Sequence, residues 1–105
     1  KSKVSEALVD RYFQLTLRKG NRQAFIDKLI AHKELSPYQN IAQLKQKTLV
    51  LWGDKDELIP VDAAHNFDRD LSNSTLVILE NSGHVPMEEN PTESLAPVIS
   101  FLKNR

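Results

Sequence analysis

Cysteine is absent from this 105-residue sequence, methionine occurs once and glycine three times. The first absence excludes disulfide scaffolds, zinc ribbons and thiol nucleophiles. Gly20, Gly53 and Gly83 lie 33 and 30 residues apart, so no G-x-S-x-G elbow, G-x-G-x-x-G turn or phosphate loop is present. Any chemistry that needs such a turn must draw it from elsewhere. No apolar run approaches the roughly 20 residues that span a bilayer, and no basic start leads into a short apolar stretch. Neither a membrane helix nor a secretory signal is expected, which together with the lack of cysteine is consistent with the cytoplasm. An excess of one charge is lacking too: 14 basic and 14 acidic side chains cancel, which argues against a general nucleic-acid binder. With 40% hydrophobic residues, one domain at most with a modest core is expected. Because the sole methionine is Met87 and the sequence starts at Lys1, a processed product or a piece of a longer protein is expected.

Neutrality hides a division. Through Lys47 there are ten basic and four acidic residues, a net +6, and the remainder carries −6. The basic residues alternate with apolar ones at helical spacing, which favours solvated helix faces over an anion-binding arm.

The first part reads as helical. Ser5 can cap a helix in which Leu8, Tyr12 and Leu15 recur on one face, and Gly20 stands where that helix would stop. Asn21 opens a second helix with an apolar stripe of Phe25, Ile26, Leu29 and Ile30, and Ser36-Pro37 ends the region. Ile41 and Leu44 are expected to face inward from one short helical turn.

The pattern changes at Thr48. Thr48-Leu49-Val50-Leu51-Trp52 is a continuous β-rich run bounded by Gly53, as in a strand buried on both faces of a parallel sheet, and Thr75-Leu76-Val77-Ile78-Leu79 has the same character. Between them, residues 61–71 carry Ala64, Phe67 and Leu71 at helical spacing. Strand, helix, strand makes a βαβ unit with parallel strands. A last helix is expected from Asn90-Pro91-Thr92-Glu93, with Asn90 as cap, Pro91 in the first turn, Glu93 completing a capping box and Leu95, Val98, Ile99 and Leu102 buried. Pro97 falls inside it and predicts a kink or a late start.

Chemistry in α/β proteins collects at the carboxyl ends of parallel strands. The loop after the first strand reads Gly53-Asp54-Lys55-Asp56-Glu57-Leu58-Ile59-Pro60, and the loop after the second reads Glu80-Asn81-Ser82-Gly83-His84-Val85-Pro86. If the strands are neighbours, an acid of the first loop can reach His84 of the second. A carboxylate on one imidazole nitrogen fixes the tautomer and leaves the other nitrogen as a general base. His32 and His65 lie on predicted helices with no ligands at metal spacing, so no metal site is expected. Trp52 is expected in the core or a site wall, Glu89 in support of the turn into the last helix rather than in the reaction, and Met87 as packing or site lining.

The run Thr48 to Asp56, with Ile59-Pro60 and later Gly83-His84 and Glu89-Asn90-Pro91, resembles the C-terminal part of an α/β-hydrolase-fold enzyme over residues 36 to 104. The resemblance implies an α/β fold in which the G-x-x-D strand end delivers the acid of a nucleophile-acid-histidine triad and the G-H step its histidine. Asp56 and His84 match those positions, with Asp54 a competitor for the acid; as a bland alternative, Asp56 would only begin an Asx turn. The expected division is 1–35, the end of a cap, and 36–105, the C-terminal part of the hydrolase core. Lys47, where the family often has proline, and Pro97 depart from the pattern without touching the candidate site.

By this resemblance the whole enzyme hydrolyses ester, thioester, amide or carbon-carbon bonds with a serine nucleophile from upstream sequence, and needs no cofactor. Haloalkane dehalogenases and epoxide hydrolases, with an aspartate nucleophile, share these two positions. The expected partners are a small-molecule substrate and either the missing N-terminal half or a second copy, with no nucleic acid or membrane. The 105-residue chain alone is expected to be inert. The rival readings are a non-catalytic α/β interaction module that binds through its basic helices, or a degenerate hydrolase fold acting as a receptor.

Overall fold

The change of periodicity along the sequence separates two compact units. The structure, a computed structural model, describes residues 4–31 and 38–104. It divides into two compact units, Lys1–Ser36 and Pro37–Arg105. The Ser36-Pro37 step and His32 lie outside the described residues.

The first unit is a pair of helices, α1 (Glu6–Leu17) and α2 (Asn21–Ala31). Ser5 caps α1 by accepting the Leu8 N–H at 3.2 Å, the bond its residue type favours. Gly20 turns the chain with φ +90°, and the Asn21 side chain donates to the Leu15 carbonyl at 2.7 Å. Neither helix has a buried residue. The expected stripes are therefore present but uncovered: Tyr12, Phe25, Ile26, Leu29 and Ile30 are all exposed. An open groove of about 550 Å³ runs between the helices, lined by Tyr12, Leu15, Phe25 and Ile26 with Arg22 at its edge.

The second unit begins with a single turn, α3 (Tyr38–Ile41), followed by β1 (Thr48–Gly53), α4 (Asp62–Asp70) and β2 (Ser74–Leu79). The strands pair in parallel from Thr48↔Ser74 to Gly53↔Leu79, as β-rich runs separated by one helix require. One side-chain bond and one backbone bond hold the start of that register: Ser72 Oγ donates to the Leu44 carbonyl at 2.8 Å, and the Thr48 N–H donates to the Asn73 carbonyl at 2.9 Å. Helix α4 packs on both strands through Ala64, which is fully buried, and through Phe67.

A single turn, α5 (Pro86–Glu89), and a longer helix, α6 (Pro91–Lys103), follow. No apolar periodicity marks the four-residue α5 in the sequence, and α6 corrects several expectations. It starts at Pro91 and runs on through Pro97, so there is no late start. Asn90 makes no side-chain capping bond to the helix, so the expected capping box is incomplete. Its amide instead donates to the Asn81 carbonyl at 3.2 Å and to Ser82 Oγ. Leu95, Ile99 and Leu102 are exposed, and Ser94 is the buried residue of α6. Leu44 is exposed as well. Among the described residues the buried apolar side chains are Val50, Ala64, Leu79 and Pro86, few because a two-stranded sheet has too little surface to cover both its faces and its helices. Lys47 has a use of its own: its ammonium bonds the Asn104 carbonyl and lies 5.6 Å from the Phe101 ring centre, where a cation complements a helix C-terminus.

No helix among the described residues is long and apolar enough to cross a membrane.

Candidate active site

The register that ends on Gly53↔Leu79 sets the two strand-end loops side by side. Backbone bonds then stitch them: the Asp54 N–H donates to the Leu79 carbonyl at 3.0 Å and the Lys55 N–H to the Ser82 carbonyl at 2.9 Å. A Cβ on Gly53 would collide with the backbone carbonyls of Ser82 and Gly83, so the second loop passes directly over that α-carbon. Only glycine permits this approach.

Asp56 uses its two oxygens for different purposes. Oδ1 accepts the N–H groups of Leu58 and Ile59, both at 2.9 Å, which closes an Asx turn. Oδ2 lies 3.0 Å from Nδ1 of His84. The turn and the pairing with histidine, framed above as alternatives, coexist in one carboxylate, because the turn orients it. The Asp56 side chain is only 4% exposed, against 43% for His84. Burial pushes the Asp56 carboxyl up, but the Ile59 N–H, the His84 ring, the Leu58 N–H and the charge of His84 together outweigh it and hold it below the usual carboxylate value. An ionised Asp56 accepts from Nδ1–H of His84, and in the neutral ring that tautomer leaves the lone pair on Nε2.

Asp54 serves elsewhere. Its Oδ1 accepts the Ser82 N–H at 3.3 Å and Oδ2 pairs with Lys55 at 3.4 Å, so it links the loops while Asp56 faces the imidazole. His65 is exposed and apart from the site, and Met87 is 60% exposed. Among the described residues no group of three His, Asp or Glu side chains is arranged to hold a metal ion.

Two further residues shape the site. Trp52 stacks obliquely on Phe67, ring centres 6.3 Å apart, and its indole N–H donates to the Ile59 carbonyl at 3.1 Å, fixing the far end of the Asp56 loop. Glu89 accepts the Gly83 N–H at 2.7 Å and the Val85 N–H at 3.0 Å, one on each carboxylate oxygen. Both act on backbone groups, which carry no residue-specific signature. The one available signal for Glu89 is its spacing from Val85 across a proline-started turn, a relative of the capping box.

Parallel strands that end in an acid loop and a histidine loop, with the two side chains in contact, define a chain built like the end of an α/β hydrolase. Residues 2–91 match the family of the alpha/beta hydrolase fold, and the chain belongs to that family. Monoacylglycerol lipase ABHD6 of Mus musculus is 28% identical over 81 residues, covering 77% of this chain and 24% of the lipase. The uncharacterized hydrolase YugF of Bacillus subtilis (strain 168) is 30% identical over 110 residues, covering 98% of this chain and 38% of its own length. Among solved structures, a serine hydrolase involved in carbazole degradation, the CarC enzyme, matches with a TM-score of 0.85 over 97% of this chain and 41% of its own, at 24% identity, a likeness of fold. The chain thus spans well under half the length of each.

Proposed function

We propose that this chain supplies the acid and the base of a nucleophile-acid-histidine triad, and that the longer protein carrying it hydrolyses ester, thioester, amide or carbon-carbon bonds. The observation that carries the reading is the 3.0 Å contact between Asp56 Oδ2 and His84 Nδ1, with Asp56 otherwise satisfied by two backbone donors. Its relatives named as lipases, ABHD6 and lipase 1 of Psychrobacter immobilis, favour carboxylic esters within that range.

In this reading a serine on a sharp strand-to-helix turn of upstream sequence attacks the acyl carbon as Nε2 of His84 takes its proton. Asp56 keeps the proton on Nδ1 and stabilises the imidazolium. His84 returns the proton to the leaving group, then accepts one from the water that cleaves the acyl-enzyme. Backbone donors of the upstream part would hold the oxyanion. In the same reading the helices of the first unit are the end of a cap segment of the longer protein.

The test is turnover of a short p-nitrophenyl ester by the full-length protein. Asp56→Asn and His84→Gln should each lower kcat by on the order of 10⁴-fold while the far-UV spectrum stays unchanged. Wild-type rates in both variants would remove the assignment. An aspartate in place of serine on the upstream elbow would move the protein to the dehalogenase and epoxide hydrolase side of the family.

A further inference from the structure

We propose that Glu89 is a positioning residue for His84, a role that rests on the triad reading above. His84 sits in a loop, and its side chain is 43% exposed, so little packing restrains the imidazole. Its position is set by Asp56 at one nitrogen and by the backbone on either side. Both backbone neighbours are held by one side chain: Oε2 of Glu89 accepts the Gly83 N–H at 2.7 Å and Oε1 accepts the Val85 N–H at 3.0 Å. The carboxylate therefore straddles the histidine.

Three observations show the clamp to be closely fitted. A Cβ on Gly83 would stand 2.9 Å from both Glu89 oxygens, so the carboxylate rests on the bare glycine backbone. The link to Val85 is reciprocal, since the Glu89 N–H donates to the Val85 carbonyl at 3.0 Å. On the upstream side Ser82 is fully buried, and its N–H and hydroxyl are engaged by Asp54 and Asn90. Residues 81–85 thus have no slack along the backbone, and a charge-assisted pair of bonds is the means by which α5 fixes them. A misplacement of the general base by about 1 Å can lower turnover on the order of 10²-fold, so an acceptor pair at this point bears on rate without touching substrate.

Glutamine at position 89 keeps one acceptor and turns an amide donor toward the other N–H. Aspartate keeps the charge but is one methylene too short to span both. In the full-length protein, Glu89→Gln should lower kcat about 10- to 100-fold with KM within about twofold, and Glu89→Asp should lie between it and wild type. Amide hydrogen exchange at Gly83 and Val85 should accelerate about tenfold or more in Glu89→Gln, with the amides of β1 and β2 unchanged. In a His84→Gln background, adding Glu89→Gln should change the residual rate by less than about twofold, because a residue that acts through His84 has nothing left to position. Wild-type kcat in Glu89→Gln beside a crippled His84→Gln would overturn the role of Glu89 and leave the triad standing. An equal loss with and without His84, or accelerated exchange throughout the sheet, would mark a general structural residue and also overturn it. Wild-type rates in His84→Gln would remove the triad reading and this role with it.

Discussion

The Asp56 carboxylate has a protein environment on every side: two amide donors at one oxygen, an imidazole at the other, and almost no exposure to water. Such an anion is held ionised by bonds that a protonated acid cannot accept as well, hence the lowered pKa. The consequence for stability has a definite sign. Because the folded value lies below the ordinary 3.8, the stabilising contribution is complete above about 3.8 and is lost as pH falls through the folded value. The gap in urea midpoint between wild type and Asp56→Asn, measured in the full-length protein, should therefore be smaller below pH 4 than at pH 5. A gap that widened on acidification would contradict the bonding described here. Asp56 and His84 were legible in the sequence because side-chain chemistry at strand ends leaves a motif. Trp52 as a site wall and Glu89 as a support of the turn were legible only that far: the bonds to Ile59, Gly83 and Val85 go to peptide groups, which any sequence provides.

The elements divide on similar lines. Strands β1 and β2, their parallel pairing and helix α4 follow from two β-rich runs with an amphipathic stretch between them, and all three were readable. The start of α6 at Pro91, after Asn90, was readable, but its side-chain cap was not, because other partners competed for the Asn90 amide. Asn90 is drawn to Asn81 and Ser82 rather than to its own helix, a tertiary contact that local capping rules do not contain. Pro97 does not interrupt α6 either: one missing donor in a 13-residue helix is tolerated where the remaining bonds and the packing on the sheet hold it. The junction of β1 with the histidine loop is the most sensitive place among these elements. Gly53→Ala should destabilise the protein by about 1–3 kcal/mol through overpacking, and lower turnover further than the stability change accounts for, since the displaced backbone is that of residues 82 and 83. Thermal unfolding and kcat on the same preparation check this; an alanine variant with unchanged Tm and rate would show that the loops do not cross so closely.

Across both units the apolar side chains tell one story. Among the described residues of the two helices, Val9, Tyr12, Phe13, Leu15, Leu17, Phe25, Ile26, Leu29 and Ile30 are exposed, and so are Leu95, Ile99 and Leu102 of α6. Periodicity marks these faces as apolar but cannot say what covers them, which is why the expected buried stripes are uncovered here. Both edges of a two-stranded sheet are also open to pairing. The chain on its own should therefore associate, with its upstream half or with itself, and should not turn over p-nitrophenyl esters. Light scattering and limited proteolysis test the first part, and a monodisperse, protease-resistant monomer would contradict it.

The central claim, that Asp56 and His84 activate a nucleophile lying outside this chain, is tested most directly by the rate at which a fluorophosphonate modifies the full-length protein, a reading that needs no knowledge of the substrate. The prediction is labelling of a single upstream serine in the wild type, slowed at least about 100-fold in His84→Gln with the fold intact. Equal labelling rates in the two proteins would contradict it.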